Sequence, residues 1–170
     1  MKTSEAVPTF ESLPEGLTNA SARELCGQIR SVQIIKTLWY PELISEMEKS
    51  ARGFFAKWDI SPEKVHVSSV PGAFELPLGV MQSIDLKPAP DLVVVLGCVI
   101  QGDTPHFDFV CQGLTFGLMK IQIKKKLPMG FGVLTVNNLD QAKQRHGKGA
   151  EAAQAALFMF LRSRNLEGER

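Results

Sequence analysis

The run Asp91-Leu-Val-Val-Val-Leu-Gly97 constrains this chain more than any other stretch. After Asp91 it is continuously apolar, the pattern of a central parallel strand covered on both faces. Three further strand-like segments accompany it: Val32 to Thr37, Val65 to Val70 (ended by Pro71-Gly72), and Phe131 to Val136. Helical periods separate them. Pro41 opens a helix whose apolar positions Leu43, Ile44, Met47, Ala51, Phe54, Phe55 and Trp58 recur in steps of three and four, with Glu42, Glu46, Lys49 and Arg52 outside that face. A second runs from Phe74 to Ile84 despite Pro77. A third follows His106, carries Val110, Leu114, Gly117, Leu118 and Ile121 inward, and ends on Lys124, Lys125 and Lys126, where cations favour the dipole. The last starts at Asn138, breaks at Gly147 and Gly149, and continues from Ala150 to about Arg164; Ala152, Ala153, Ala155 and Ala156 permit close packing. The order β-α-β-α-β-α-β-α predicts a parallel sheet with helices on both faces, a three-layer α-β-α sandwich.

Residues 31–165 are expected to form that domain. Residues 1–30 read as a tail, with a helical turn at Ala22 to Leu25, and residues 166–170 as a second tail. A chain of 170 residues with 44% hydrophobic and 22% charged content can bury one full core. A net charge of +1 gives no field that would favour nucleic acid or an anionic membrane. Cys26, Cys98 and Cys111 form no dense framework, which points to free thiols in a reducing, cytoplasmic setting. No apolar run approaches the ~20 residues of a membrane helix, and the N-terminus lacks the layout of a secretion signal.

In open parallel sheets ligands bind beyond the carboxyl ends of the strands. Four segments are expected to converge there: Leu38 to Tyr40, Pro71 to Glu75, Cys98 to His106, and Thr135 to Asn138. In the third, Gly102-Asp-Thr-Pro-His-Phe-Asp108, Thr104 suits an N-cap and Pro105 the first helical position. The free N–H groups of such a helix start can hold an anion. His106, one of three histidines, stands in the same turn. An anion cradle beside a group that titrates near neutrality suits proton transfer on a phosphorylated substrate.

Other candidates carry two readings each. Glu75 is either a helix-start acid that complements the dipole or a carboxylate for substrate hydroxyls. Trp39, at the end of the first strand, is either packing or a stacking platform. Arg145 and Lys148 are either a solvated face or phosphate ligands. Cys98, His106 and Cys111 match no metal-site spacing, and neither a G-x-G-x-x-G after the first strand nor a Walker loop is present.

Gly72-Ala73-Phe74-Glu75, the run Gly97-Cys-Val-Ile-Gln-Gly-Asp-Thr-Pro-His-Phe-Asp108, and Phe131-Gly-Val-Leu-Thr-Val136 followed by Gln141-Ala142 and Arg145 resemble the lumazine synthase family from about Val32 to Leu161. The resemblance implies a four-stranded parallel flavodoxin-like sheet and the condensation of 5-amino-6-ribitylamino-uracil with 3,4-dihydroxy-2-butanone 4-phosphate, without metal or redox cofactor. By motif, Trp39 stacks on the pyrimidine. Ala73, Phe74 and Glu75 hold ring and ribityl chain, and Cys98, Val99 and Ile100 line the pyrimidine edge, largely through their backbone. Asp103 and Thr104 face the butanone phosphate, and His106 is the proton-transfer residue. Phe131 comes from a neighbouring subunit, Arg145, also from the next subunit, binds phosphate, and Lys148 matches the family's substrate-site lysine near the start of the last helix. It also implies pentamers, alone or in multiples, with sites between subunits. The chain departs from the family at Leu38 and Tyr40, where an arginine and an asparagine are usual, and in the short His146-Gly147 link before Lys148. Those departures also fit a non-catalytic paralogue that holds a lumazine or flavin. A flavodoxin-like or receiver-like signalling domain is the remaining alternative, and the acidic cluster expected of a receiver after the first strand is missing.

Overall fold

The computed structural model describes residues 13–168. Four strands form one parallel sheet: β1 (Val32–Thr37), β2 (Val65–Val70), β3 (Leu92–Ile100) and β4 (Met129–Val136), in the order β2-β1-β3-β4. The helices are α1 (Asn19–Gly27), α2 (Pro41–Lys57), α3 (Leu76–Ile84), α4 (His106–Lys125), α5 (Leu139–Lys143) and α6 (Lys148–Gly168). On one face, Val32 and Ile34 of β1 and Val94 and Leu96 of β3 pack against α1, α2 and α6. On the other, Ile35, Val93 and Val95 pack against α3 and α4. The apolar run at residues 92–96 is fully buried because alternate side chains enter two separate cores. The three-layer sandwich is as the alternation predicts.

Pro77 fits inside the second helical period because it sits in the first turn of α3, where its missing N–H has no partner to lose. The Gly147 break separates α5 from α6. The alanines allow α6 to lie close on the sheet: Ala152, Ala153 and Ala156 are buried, and a β-carbon on Gly130 would stand 1.9 Å from the Ala152 carbonyl oxygen.

Two boundaries differ from the sequence reading. The stretch expected as an N-terminal tail holds α1, whose Ala22 and Cys26 are buried in the main core together with Ile29. Thr18 caps that helix, accepting from the Ser21 N–H at 3.2 Å. Leu13 and Leu17 pack on the same core, while residues 1–12 lie outside the described ones. At the other end α6 continues through the supposed tail to Gly168, with residues 169–170 outside the described ones. At the amino end of the sheet, Asp91 ties β1 to β3. Its carboxylate accepts from the Arg30 N–H at 2.7 Å, the Ser31 N–H at 3.3 Å and the Arg30 Nη2 at 2.8 Å. Among the described residues no helix is long and apolar enough to cross a membrane.

Candidate active site

The parallel sheet brings the ends of β1, β2 and β3 to one edge of the molecule, where they frame a cleft of about 610 Å³. Trp39 and Tyr40 enter it from the turn after β1. Ala73, Phe74 and Glu75 form a single 3-10 turn between β2 and α3 and line the same cleft. Cys98, Val99 and Ile100 supply its floor, and His106, Phe109 and Val110 come from the start of α4. Most of the residues singled out in the sequence therefore meet here.

The floor has a simple origin. Pairing between β1 and β3 ends at Lys36–Leu96, whereas β3 and β4 stay paired to Ile100–Val136. From Gly97 to Ile100, β3 is a ledge with a strand on one side only. Main-chain N–H and C=O groups on the open side of such an edge can meet a flat, polar ligand as another strand would. The floor is fixed by Gly97, where a β-carbon would press to 3.1 Å from Thr37 Cγ2, and by the Gln101 N–H, which donates to the Val136 carbonyl at 2.8 Å.

The two large aromatics are presented, not packed away. Trp39 is 66% exposed and Phe74 62%, values that fit ligand contact better than a core role for either ring. Glu75 has a structural contact as well as a place in the cleft. Its Oε2 accepts from the Gly72 N–H at 2.9 Å, bracing the turn, and the residue lines the cleft. Tyr40 occupies the left-handed region, with φ 57° and ψ 57°, a conformation that asparagine tolerates far better than tyrosine. The family's usual asparagine is thus the residue the backbone there favours, and in this chain Tyr40 carries the cost.

The helix start differs from the sequence reading. Thr104 makes no cap hydrogen bond; Pro105 is the capping residue, and its carbonyl accepts from the Asp108 N–H at 3.0 Å. Pro105 in the helical φ region lets the turn begin one residue later, so His106 is the first residue of α4. Asp103 and Thr104 lie exposed on the approach to it.

Phe131, Arg145 and Lys148 do not join the cleft. They line a second depression of about 550 Å³ across β4 and the start of α6. Phe131 is 47% exposed on the edge strand. Arg145 donates from Nη1 to the Gln141 carbonyl at 2.7 Å, and Lys148 pairs with Glu151. The Asn138 side chain caps α5 by accepting from the Gln141 N–H at 2.9 Å, and Gln141 Oε1 accepts from the Asn137 N–H at 2.9 Å. The fourth loop is therefore ordered by its own polar network, on the β4 side. Sequence reasoning passed over Glu151, whose i+3 spacing from Lys148 in a helix was the available signal.

Cys98 is 5% exposed, and burial pushes its thiol up to about 11, so it is a wall of the cleft and not a nucleophile at neutral pH. Among the described residues no group of three His, Cys, Asp or Glu side chains is gathered as a metal site.

Fold and cleft define an α/β protein that receives a small molecule beyond the carboxyl ends of a parallel sheet. More particularly, the chain belongs to the 6,7-dimethyl-8-ribityllumazine synthase family, whose model matches residues 30–164. Relatives bearing that name are 37% identical over 134 residues in Parabacteroides distasonis, covering 76% of this chain and 83% of that protein. The Cytophaga hutchinsonii protein is 38% identical over 135 residues, covering 76% and 84%. That of Micrococcus luteus is 38% identical over 138 residues, covering 77% and 84%.

Proposed function

We propose that this chain is a lumazine synthase of riboflavin biosynthesis: it condenses 5-amino-6-ribitylamino-uracil with 3,4-dihydroxy-2-butanone 4-phosphate to 6,7-dimethyl-8-ribityllumazine, releasing phosphate and water. The observation that carries the reading is one cleft holding the β3 ledge, Glu75, Trp39 and His106 together, in a chain of this family. The ledge of Cys98, Val99 and Ile100 offers main-chain groups to the pyrimidine edge, and Trp39 covers its face. Ala73 and Phe74 hold the ring while Glu75 takes ribityl hydroxyls. Asp103 and Thr104 meet the butanone phosphate at the start of α4, where free N–H groups favour an anion. His106 moves protons during imine formation, phosphate elimination and ring closure.

Arg145 and Lys148 supply cationic phosphate contacts and Phe131 an apolar wall, all three from a neighbouring subunit. Their separation from the cleft within one chain supports a shared site. So does the outer stripe of α4: Phe109 is 71% exposed, Phe116 75%, Met119 53% and Ile123 71%, an apolar surface suited to burial against other copies. The assembly is a pentamer or a multiple of one, and the protein is cytoplasmic. The purified protein mixed with both substrates should develop lumazine fluorescence; absence of turnover combined with tight flavin binding would instead make it a binding paralogue.

A further inference from the structure

The link from α5 to α6 carries Arg145 and Lys148 on either side of His146-Gly147, with nothing else between them. A link this short can hold the two cations in only a few arrangements, so whatever fixes its backbone fixes them. One side chain from a distant element does so. Ser50 of α2 accepts from the Ala150 N–H at 3.1 Å, and its hydroxyl stands 3.2 Å from the His146 carbonyl oxygen. The same hydroxyl lies 2.9 Å from the Met47 carbonyl, so one proton serves two acceptors. The Ala150 N–H belongs to the first turn of α6, where it is shared between the Gly147 carbonyl at 3.0 Å and the Ser50 hydroxyl. Ser50 therefore caps α6 from another element, 100 positions away, and grips the link on both flanks of Lys148.

The contact is held in place by packing. Gly149 is buried, and the helices approach so closely there that a β-carbon would meet Ser50 Oγ at 2.5 Å. The remaining backbone bonds of the link are local, among them Arg145 N–H to the Ala142 carbonyl at 2.9 Å and Lys148 N–H to the Arg145 carbonyl at 2.9 Å. They shape each turn without fixing it to the rest of the molecule. Among the described residues, the Ser50 hydroxyl is the polar contact that does.

We propose that Ser50 is a positioning residue of the phosphate-binding half-site: through the His146 carbonyl and the Ala150 amide it sets the link that presents Arg145 and Lys148. This rests on the reading of Arg145 as a phosphate ligand. Steady-state kinetics of the assembled enzyme, varying each substrate in turn, tests it. Ser50→Ala should raise KM for butanone phosphate about three- to ten-fold, the weight of one or two hydrogen bonds, with KM for the ribitylamino-uracil and kcat nearly unchanged. Ser50→Thr, which keeps the hydroxyl, should return KM to the wild-type value, and this variant also serves if the alanine form fails to fold. Arg145→Gln should raise the same KM by more than about ten-fold, and Ser50→Ala added to an Arg145→Gln, Lys148→Gln double variant should do nothing further. An unchanged KM in Ser50→Ala while Arg145→Gln is impaired overturns the role of Ser50. So does a loss shared equally by both substrates, or one that persists in the Arg145→Gln, Lys148→Gln background, since either marks Ser50 as a stability residue only. An unchanged KM in Arg145→Gln removes the phosphate reading itself, and the Ser50 proposal with it.

Discussion

Gly149 of α6 lies against Met47 of α2 so closely that a β-carbon there would stand 1.9 Å from the Met47 carbonyl oxygen. The obstacle is backbone, so no side-chain rotation can relieve it. Gly149→Ala must push the two helices apart and should cost at least about 2 kcal/mol. Urea unfolding of the variant would read the loss; a midpoint equal to wild type would mean the crossing is looser than this contact.

His106 and Arg145 line different cavities of one chain. His106→Ala should slow turnover about a hundred- to a thousand-fold, and Arg145→Gln should leave little activity at low butanone phosphate. If a site is completed by two subunits, mixed oligomers of the two variants should regain activity. Random assembly of equal amounts gives about a quarter of the sites both intact residues. Co-refolding followed by the fluorescence assay measures this, and no recovery in verified mixed oligomers would refute the shared site.

Much of the fold was legible because its elements announce themselves locally: Leu92 to Leu96 run unbroken and apolar, and α2 repeats its buried positions in steps of three and four. The first helix was not, because Ala22, Cys26 and Ile29 gain their burial from a core completed by α6, far along the chain, and carry no sustained period of their own. For the site, loops at strand ends could be assigned to one edge from the parallel topology alone. The Pro105 cap depends on how the chain closes in space, which spacing does not encode, and the separation of Arg145 from His106 was legible only through the family resemblance.

Asp91 gives a pH prediction. Burial opposes its ionisation, but the Arg30 guanidinium and the amides of Arg30 and Ser31 outweigh that and hold its carboxyl below the usual value. A depressed folded-state pKa means stability that is present above the unfolded value, about 3.9, and lost as pH falls through the folded one. Asp91→Asn should cost about 2 kcal/mol at neutral pH. The gap to wild type should narrow below about pH 4. Glu48, held low by Lys36 and Arg52 against the effect of its burial, titrates in both proteins and cancels. Urea midpoints measured from neutral pH down to about pH 2.5, below the unfolded carboxylate value, test it, and a gap that does not change with pH would exclude ionisation as the source.

Because Cys98 stays a protonated, buried thiol at neutral pH, iodoacetamide at neutral pH should leave turnover intact over the time that labels a free model thiol. Rapid inactivation with the label mapped to Cys98 would contradict both its burial and its passive role.

The ledge at Gly97 to Ile100 separates two kinds of sequence change. Its hydrogen-bonding groups belong to the main chain, so replacing Cys98 or Val99 alters the shape of the wall yet leaves every donor and acceptor standing. What leaves them open is where β1 ceases to pair with β3, at Lys36–Leu96, four residues short of the end of β3. Recognition of this kind is tolerant of point mutation and vulnerable to changes of length. A few residues added to the paired end of β1 would cover the ledge with a strand, and the molecule would lose the open edge that the proposed ligand needs without losing a single residue of the cleft.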